Sequence, residues 1–163
     1  MKNITEKEKP INTLCKLIRE GDVVMFATKA KHGQLRSRPM EVSDVTQEGK
    51  FIFFTHSNAD LTSELTDDNF VNLSFGNNEQ HDYVSVSGVA QISQNQVEME
   101  ALWQDKFVRW IPNGLDEPTL AMIVITPLHA EHWSMKDQRS SLGKLLYLNN
   151  ENNDAVYEQM GQR

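Results

Sequence analysis

Cations are in the minority in this chain, with 16 Lys and Arg against 23 Asp and Glu for a formal net charge of −7. A general nucleic-acid binder draws its affinity from many cationic phosphate contacts, so that class is not expected, and the acidity reads as a solubility feature. Cysteine is nearly absent. The single Cys15 cannot form an internal disulfide, and no apolar segment of signal-peptide type precedes the charged start MKNITEKEK, so a reducing cytoplasm is the expected compartment. Long hydrophobic runs are missing as well: the longest candidate, LAMIVI at 120–125, falls far short of the ~18 residues that a membrane span needs, and a soluble protein is expected. There is no GxSxG, Walker or GxGxxG pattern, which leaves the usual hydrolase and nucleotide-binding readings without support. The histidines are His32, His56, His81, His129 and His132. No Cys set accompanies them, and an i, i+3 pair such as His129 and His132 leaves opposite faces of an extended segment, so no metal site is expected.

What the sequence does hold is a strand-rich pattern long enough for one domain, taken as residues 1–163 with a core over about 8–135 and a weakly ordered Asn-rich tail. Thr5 and Glu8 suggest a capping box ahead of a helix within 4–20, whose Ile11, Leu14 and Ile18 share one face until Gly21. VVMFAT (23–28) and LRSRPMEV (35–42) flank a turn at Gly33 and suit a hairpin. FIFFT (51–55) reads as a strand that passes through a polar turn into a short helix near 60–67. YVSVSGVAQI (83–92) alternates cleanly, with Val84, Val86, Ala90 and Ile92 on one face. Residues 94–109 look helical and 110–118 irregular; LAMIVIT then returns to strand, and Pro127 is expected to separate it from an extended piece around AEHWSM. About six or seven strands with short connections and two or three helices predict a mainly β fold, a closed or partly closed antiparallel barrel flanked by helices.

Arg36 and Arg38 stand two apart in a strand, so both guanidinium groups leave one face, with Met40 continuing it. They form either an anion seat or a charged strand edge that deters pairing, and Pro39 suits an edge. Cys15 reads as a small core or boundary residue, and Trp103 and Trp110 as core or interface anchors. Trp133 is followed by Arg139 at a distance that a turn could bring back into one pocket.

Taken in order, RSRPM, GKFIFFT, YVSVSG, WIPNGLDEP and AEHW resemble the general stress protein family, relatives of pyridoxamine 5′-phosphate oxidase, over about residues 8–135. The resemblance implies a six-stranded antiparallel split β-barrel that binds FMN or FAD, a homodimer with flavin sites at the subunit interface, and a possible flavin-dependent oxidoreductase. It carries over Arg36, Arg38, Pro39, Met40, Phe54, Thr55 and Thr62 as flavin contacts from one subunit, with Trp133 and Arg139 from the other. Two departures matter. SSLGK follows Arg139 where the oxidases have a His and a second Arg, so pyridoxamine phosphate oxidation itself is not expected. Ala59, Asp60 and Leu61 replace the Ser-x-Lys with which relatives grip the flavin phosphate, which leaves open a non-enzymatic stress-response or ligand-binding protein that has lost that grip.

Overall fold

The computed structural model describes residues 10–134 and the backbone of 144–147. Helix α1 (Pro10–Leu17) comes first, and the hairpin of β1 (Val23–Lys29) and β2 (Leu35–Glu41) follows it. Then come β3 (Asp44–Val45), β4 (Phe51–His56), α2 (Asp60–Asp67), β5 (Phe70–Asn77), β6 (Asp82–Ser93), α3 (Gln96–Leu102), two 3-10 turns at Asp105–Arg109 and Gly114–Asp116, β7 (Leu120–Ser134) and β8 (Lys144–Tyr147). The proposed Thr5–Glu8 box, Arg139 and the Asn-rich tail lie outside the described residues.

All strands join one antiparallel sheet in the order β2-β1-β5-β6-β7-β4-β3, with β8 beside β7. β2 and β3 stand at opposite ends of that order, yet only Val42 and Ser43 lie between them. Val42 exchanges backbone hydrogen bonds with Gly21 and Asp22 beside β1, whereas the Ser43 N–H donates to the Ile52 carbonyl of β4 at 2.8 Å. The chain thus leaves one sheet edge and joins the other within two residues, which forces the sheet to curl on itself. The strand count exceeds the expected six for two reasons: this change of partner divides β2 from β3, and β8 adds to the outside of β7.

Inside the curl lie Val24 and Phe26 from β1, Phe51 and Phe53 from β4, Leu73, Val86, Ile123 and Ile125, together with Leu14 and Ile18 of the α1 segment, all fully shielded from solvent. Phe26 and Phe53, from strands that are not sheet neighbours, meet edge-to-face at 5.2 Å. A smaller apolar layer of Ile52, Met99, Ile111, Leu120 and Met122 covers the outer faces of β4 and β7.

Most sequence expectations hold here: the helical face of Leu14 and Ile18, the hairpin with Gly33 at φ +83, the strand and helix over 51–67, and the inward set of β6. Two do not. The helix expected over 94–109 breaks at Trp103 and Gln104, both extended, because Val97, Leu102 and Phe107 never formed a continuous apolar stripe. The break lets Trp103 and Phe107 both pack on Phe54. Pro127 does not divide LAMIVIT from AEHWSM either, since β7 runs through it. Pairing with β4 ends at Ile125 and pairing with β8 begins at His129, so the proline falls where that side of β7 changes partners and its missing N–H removes no ladder bond there. On the other side the register with β6 shifts between Ser87 and Gly88, leaving Leu128 as the extra residue. A Cβ on Gly88 would stand 2.6 Å from the Thr126 carbonyl oxygen, so glycine is required by contact.

Candidate functional site

The residues picked out by sequence fall into three groups, because β2 has two faces and β7 has two ends. On the inward face of β2, Arg36 and Arg38 reach helix α2. Its Glu64 is buried, and the Glu64 carboxylate accepts from Arg36 at 2.9 Å through Oε1, and from Arg38 at 2.8 Å and the Thr28 hydroxyl at 2.5 Å through Oε2. Arg38 also donates to the Thr28 hydroxyl at 2.9 Å. Asp60, exposed at the start of α2, lies 3.9 Å from Arg36. Two guanidinium groups therefore meet two carboxylates, and no net positive charge is left. Burial by itself would raise the Glu64 pKa, but the Thr28 hydroxyl, the Arg38 hydrogen bond and the charges of Arg38 and Arg36 outweigh it and hold the carboxyl below its ordinary value. Sequence reasoning missed Glu64. The signal was its spacing, three residues after Leu61 and next to Leu65, on the buried side of α2.

The turn from β4 into α2 carries Thr55 and Thr62. Thr55 is buried on the barrel side, and the Thr62 hydroxyl donates to the His56 carbonyl at 2.7 Å. Ala59 occupies the N-cap and supplies no side-chain bond. Leu61 is buried in the core, so its side chain packs the helix and does not face a ligand at the start of α2. His56 is held through Nδ1 to the Thr119 hydroxyl at 2.9 Å, which itself donates to Glu117 at 2.7 Å. Because that hydroxyl proton is used on Glu117, Nδ1 must be the donor, and Nε2 is the nitrogen left over. Hydrogen bonds from Thr119 and Asn113 lower the Glu117 pKa against its desolvation.

Beside the same β2 segment is a groove of about 250 Å³, walled chiefly by Val23, Pro39, Met40, Phe54, Phe107 and Trp110; Met40, on the strand face shared with Arg36 and Arg38, also packs against the main core. Three residues picked from the sequence, Pro39, Met40 and Phe54, come together in it. Trp110 is 62% exposed yet pinned, its Nε1–H donating to Glu41 Oε2 at 3.1 Å while Arg109 lies over its ring at 5.6 Å and pairs with the same carboxylate oxygen. Glu41 also lines the groove, and its other oxygen, Oε1, is buried without a hydrogen-bond partner among the described residues.

Trp133 is in neither place. It pairs with Tyr83 at the far end of β7, whereas Thr55 pairs with Ala121 near the start. Strand rise puts the two on the order of 40 Å apart along β7. Among the described residues no three His, Cys, Asp or Glu side chains gather as a metal site. Cys15 is half-buried, and burial raises its thiol pKa against one backbone hydrogen bond, the opposite of nucleophile activation.

An antiparallel sheet curled on itself, with a strand-to-helix turn at one end and an apolar groove beside β2, defines the class of fold. A sequence profile of the family described as pyridoxamine 5′-phosphate oxidase like matches residues 9–152, and the chain belongs to that family. No curated protein sequence matches it significantly. Among solved structures it is similar to a Clostridium acetobutylicum protein related to general stress protein 26 (18% identity, 83% of this chain and 90% of that one, TM-score 0.69). It is similar also to general stress protein 26 from Bacillus anthracis (15%, 84% and 97%, 0.68). A third is the general stress FMN/FAD binding protein of Xanthomonas citri (24%, 83% and 93%, 0.65). No helix among the described residues is long and apolar enough to cross a membrane.

Proposed function

We propose that this chain is a flavin-binding general stress protein of the split-barrel type, a cytoplasmic homodimer in which the groove between β2, β4 and Trp110 takes the flavin ring. The observation that carries this reading is that Pro39, Met40 and Phe54, which the resemblance carries over as flavin contacts, line one apolar groove. The Xanthomonas citri relative, which is described as binding FMN or FAD, supports the cofactor class. At about 250 Å³ the groove is smaller than the ~300–1,000 Å³ usual for whole drug-sized ligands, which suits a ring system with its tail outside. Bound flavin would supply the electron chemistry of an oxidoreductase, while Pro39, Met40, Phe54 and Trp110 orient the ring and keep water from one face. The separation of Trp133 from Thr55 favours two chains, because a site that uses both must draw one from each. Sedimentation at micromolar concentration is expected to give a dimer, and a stable monomer would remove the two-chain site.

A second reading, a non-enzymatic binding protein that has lost the phosphate grip, is favoured by one feature. The start of α2 carries Asp60 and the core residue Leu61, and Glu64 already engages both nearby arginines. The visible absorption spectrum of freshly purified protein, followed by titration with FMN, FAD and riboflavin, separates the two. Yellow protein that binds riboflavin nearly as well as FMN supports a flavin held by its ring alone. Colourless protein that binds none of them leaves the second reading.

A further inference from the structure

We propose that a second copy of this chain docks on the outer face of β1, β5 and β6, with the two-fold axis passing through β5. This inference rests on the homodimer of the proposed function and names its face. The outward positions of β1 over 23–27, of β5 over 72–76 and of β6 over 83–87 carry no charged side chain, although 24% of the chain is charged. Loss of charge is what sets the centre of an interface apart from ordinary surface. Val23 and Met25 stand 53% and 42% exposed on this face. Its polar groups bond to one another: Asn72 Nδ2 donates to the Ser85 hydroxyl at 2.9 Å and to the Ser87 hydroxyl at 3.3 Å, and the Ser74 hydroxyl donates to Asn72 Oδ1 at 3.0 Å. Covering them costs little, because these hydrogen bonds are already made within the sheet and short side chains have little rotamer freedom to lose.

Charge identifies the occupant. Each copy carries a net charge of −7, so two copies approach with least repulsion where neither presents a charge. A basic partner would be held by the acidic surface elsewhere, whereas a face that offers no counter-charge suits a like-charged copy. Register then places the axis. The ladder runs Pro39, Met25, Ser74, Ser85, Glu131 across five strands, which puts Ser74 at the centre of the row and brings charge back only at β7. A two-fold axis there sets Ser74 against its own copy and turns the β6–β7 flank of one protomer toward the β1–β2 flank of the other. Val23 and Pro39, on that second flank, also wall the groove, so the docked copy reaches the groove's rim, in keeping with a site that draws on two chains.

The test puts one charge at the centre of the face in the full chain. Ser74→Lys and Ser74→Glu, each alone, set like charges against each other across the axis, and the dimer dissociation constant read by sedimentation is expected to rise about hundredfold or more. Mixing the two variants in equal amounts is expected to restore the dimer, because lysine then meets glutamate, a result that a folding defect cannot produce. If the Ser74 variants fail to fold, Ser85→Lys and Ser85→Glu replace them, with the same outcomes expected. Variants that dimerise as the wild-type chain does overturn this face and leave the homodimer standing. Monomeric variants that do not pair on mixing overturn the axis through β5. A wild-type chain that stays monomeric overturns both the face and the homodimer.

Discussion

The two faces of β2 carry the same kinds of group and treat them in opposite ways. Inward, Arg36, Arg38, Thr28 and Glu64 leave both oxygens of a buried carboxylate bonded. Outward, a few residues along the same strand, Glu41 keeps one oxygen bonded and one bare. In the inner cluster both oxygens of the carboxylate are engaged within the fold, whereas the Glu41 carboxylate is engaged through Oε2 alone, its Oε1 buried without a hydrogen-bond partner among the described residues. The sequence left Arg36 and Arg38 as either an anion seat or a charged strand edge, and in the fold both pair with Glu64.

The largest effect expected from this contrast is on stability. Arg38→Ala removes two bonds from the Glu64 and Thr28 pair, and with Arg36 left in place the unfolding free energy should fall by roughly 2–3 kcal/mol. Urea denaturation would measure it, and a change under about 0.5 kcal/mol would return Arg38 to the ligand. Trp110→Ala is the counterpart on the outer face. There we expect flavin-ring affinity to drop about tenfold or more while stability moves by less than about 1 kcal/mol, since the ring is mostly exposed. A larger stability loss with unchanged binding would make Trp110 an anchor and not a wall.

Of similar or smaller size is the effect of restoring a cation at the start of α2. Asp60→Arg leaves the buried Leu61 untouched and exchanges one exposed anion for a cation. FMN should tighten by about tenfold, or 1.4 kcal/mol, with little gain for riboflavin. Equal gains would mean that the phosphate does not sit there. The smallest effect is on the acid limb. The Glu64 pKa is lowered in the folded state, so its stabilisation is present above the ordinary value of 4.5 and is lost as pH falls below it toward the folded-state value. Glu20, Glu48, Asp68 and Glu117 shift in the same direction. Denaturation curves between about pH 5 and pH 2 should therefore be flatter for Glu64→Gln than for the wild-type chain, by the Glu64 share only. Parallel curves would mean that Glu64 titrates alike folded and unfolded.

Local pattern made much of this architecture legible. Alternation placed Val84, Val86 and Ala90 inside, and the polar turn after Phe54 placed α2 within a residue or so. Long-range pairing was not legible: nothing near Val42 and Ser43 says that the chain changes sheet edges there. The groove was half legible. Pro39, Met40 and Phe54 were chosen from short motifs, but Glu41 and Trp110 lie 69 residues apart, and their hydrogen bond has no trace in either segment. The fate of Arg36 and Arg38 escaped for the same reason, since their partner sits on a helix 26 to 28 residues away.

The extra residue in β7 acts on that strand as an inserted letter acts on a reading frame. Before it, the odd positions Ile123 and Ile125 face the core, whereas beyond it the core position is the even-numbered Ala130. The partner strand keeps one parity throughout, with Val84, Val86 and Ala90 all inward. Were Leu128 to take a place in the ladder instead of bulging out of it, the odd frame would continue, and His129, Glu131 and Trp133 would be driven into the barrel while Ala130 turned out. Deleting that one half-exposed leucine would instead join Pro127 and His129, which already face the consecutive Gly88 and Ser87, into a regular ladder with Ala130 still inward. The outward placement of Trp133, on which any contribution to a neighbouring chain depends, holds because a residue five positions upstream stays out of the ladder.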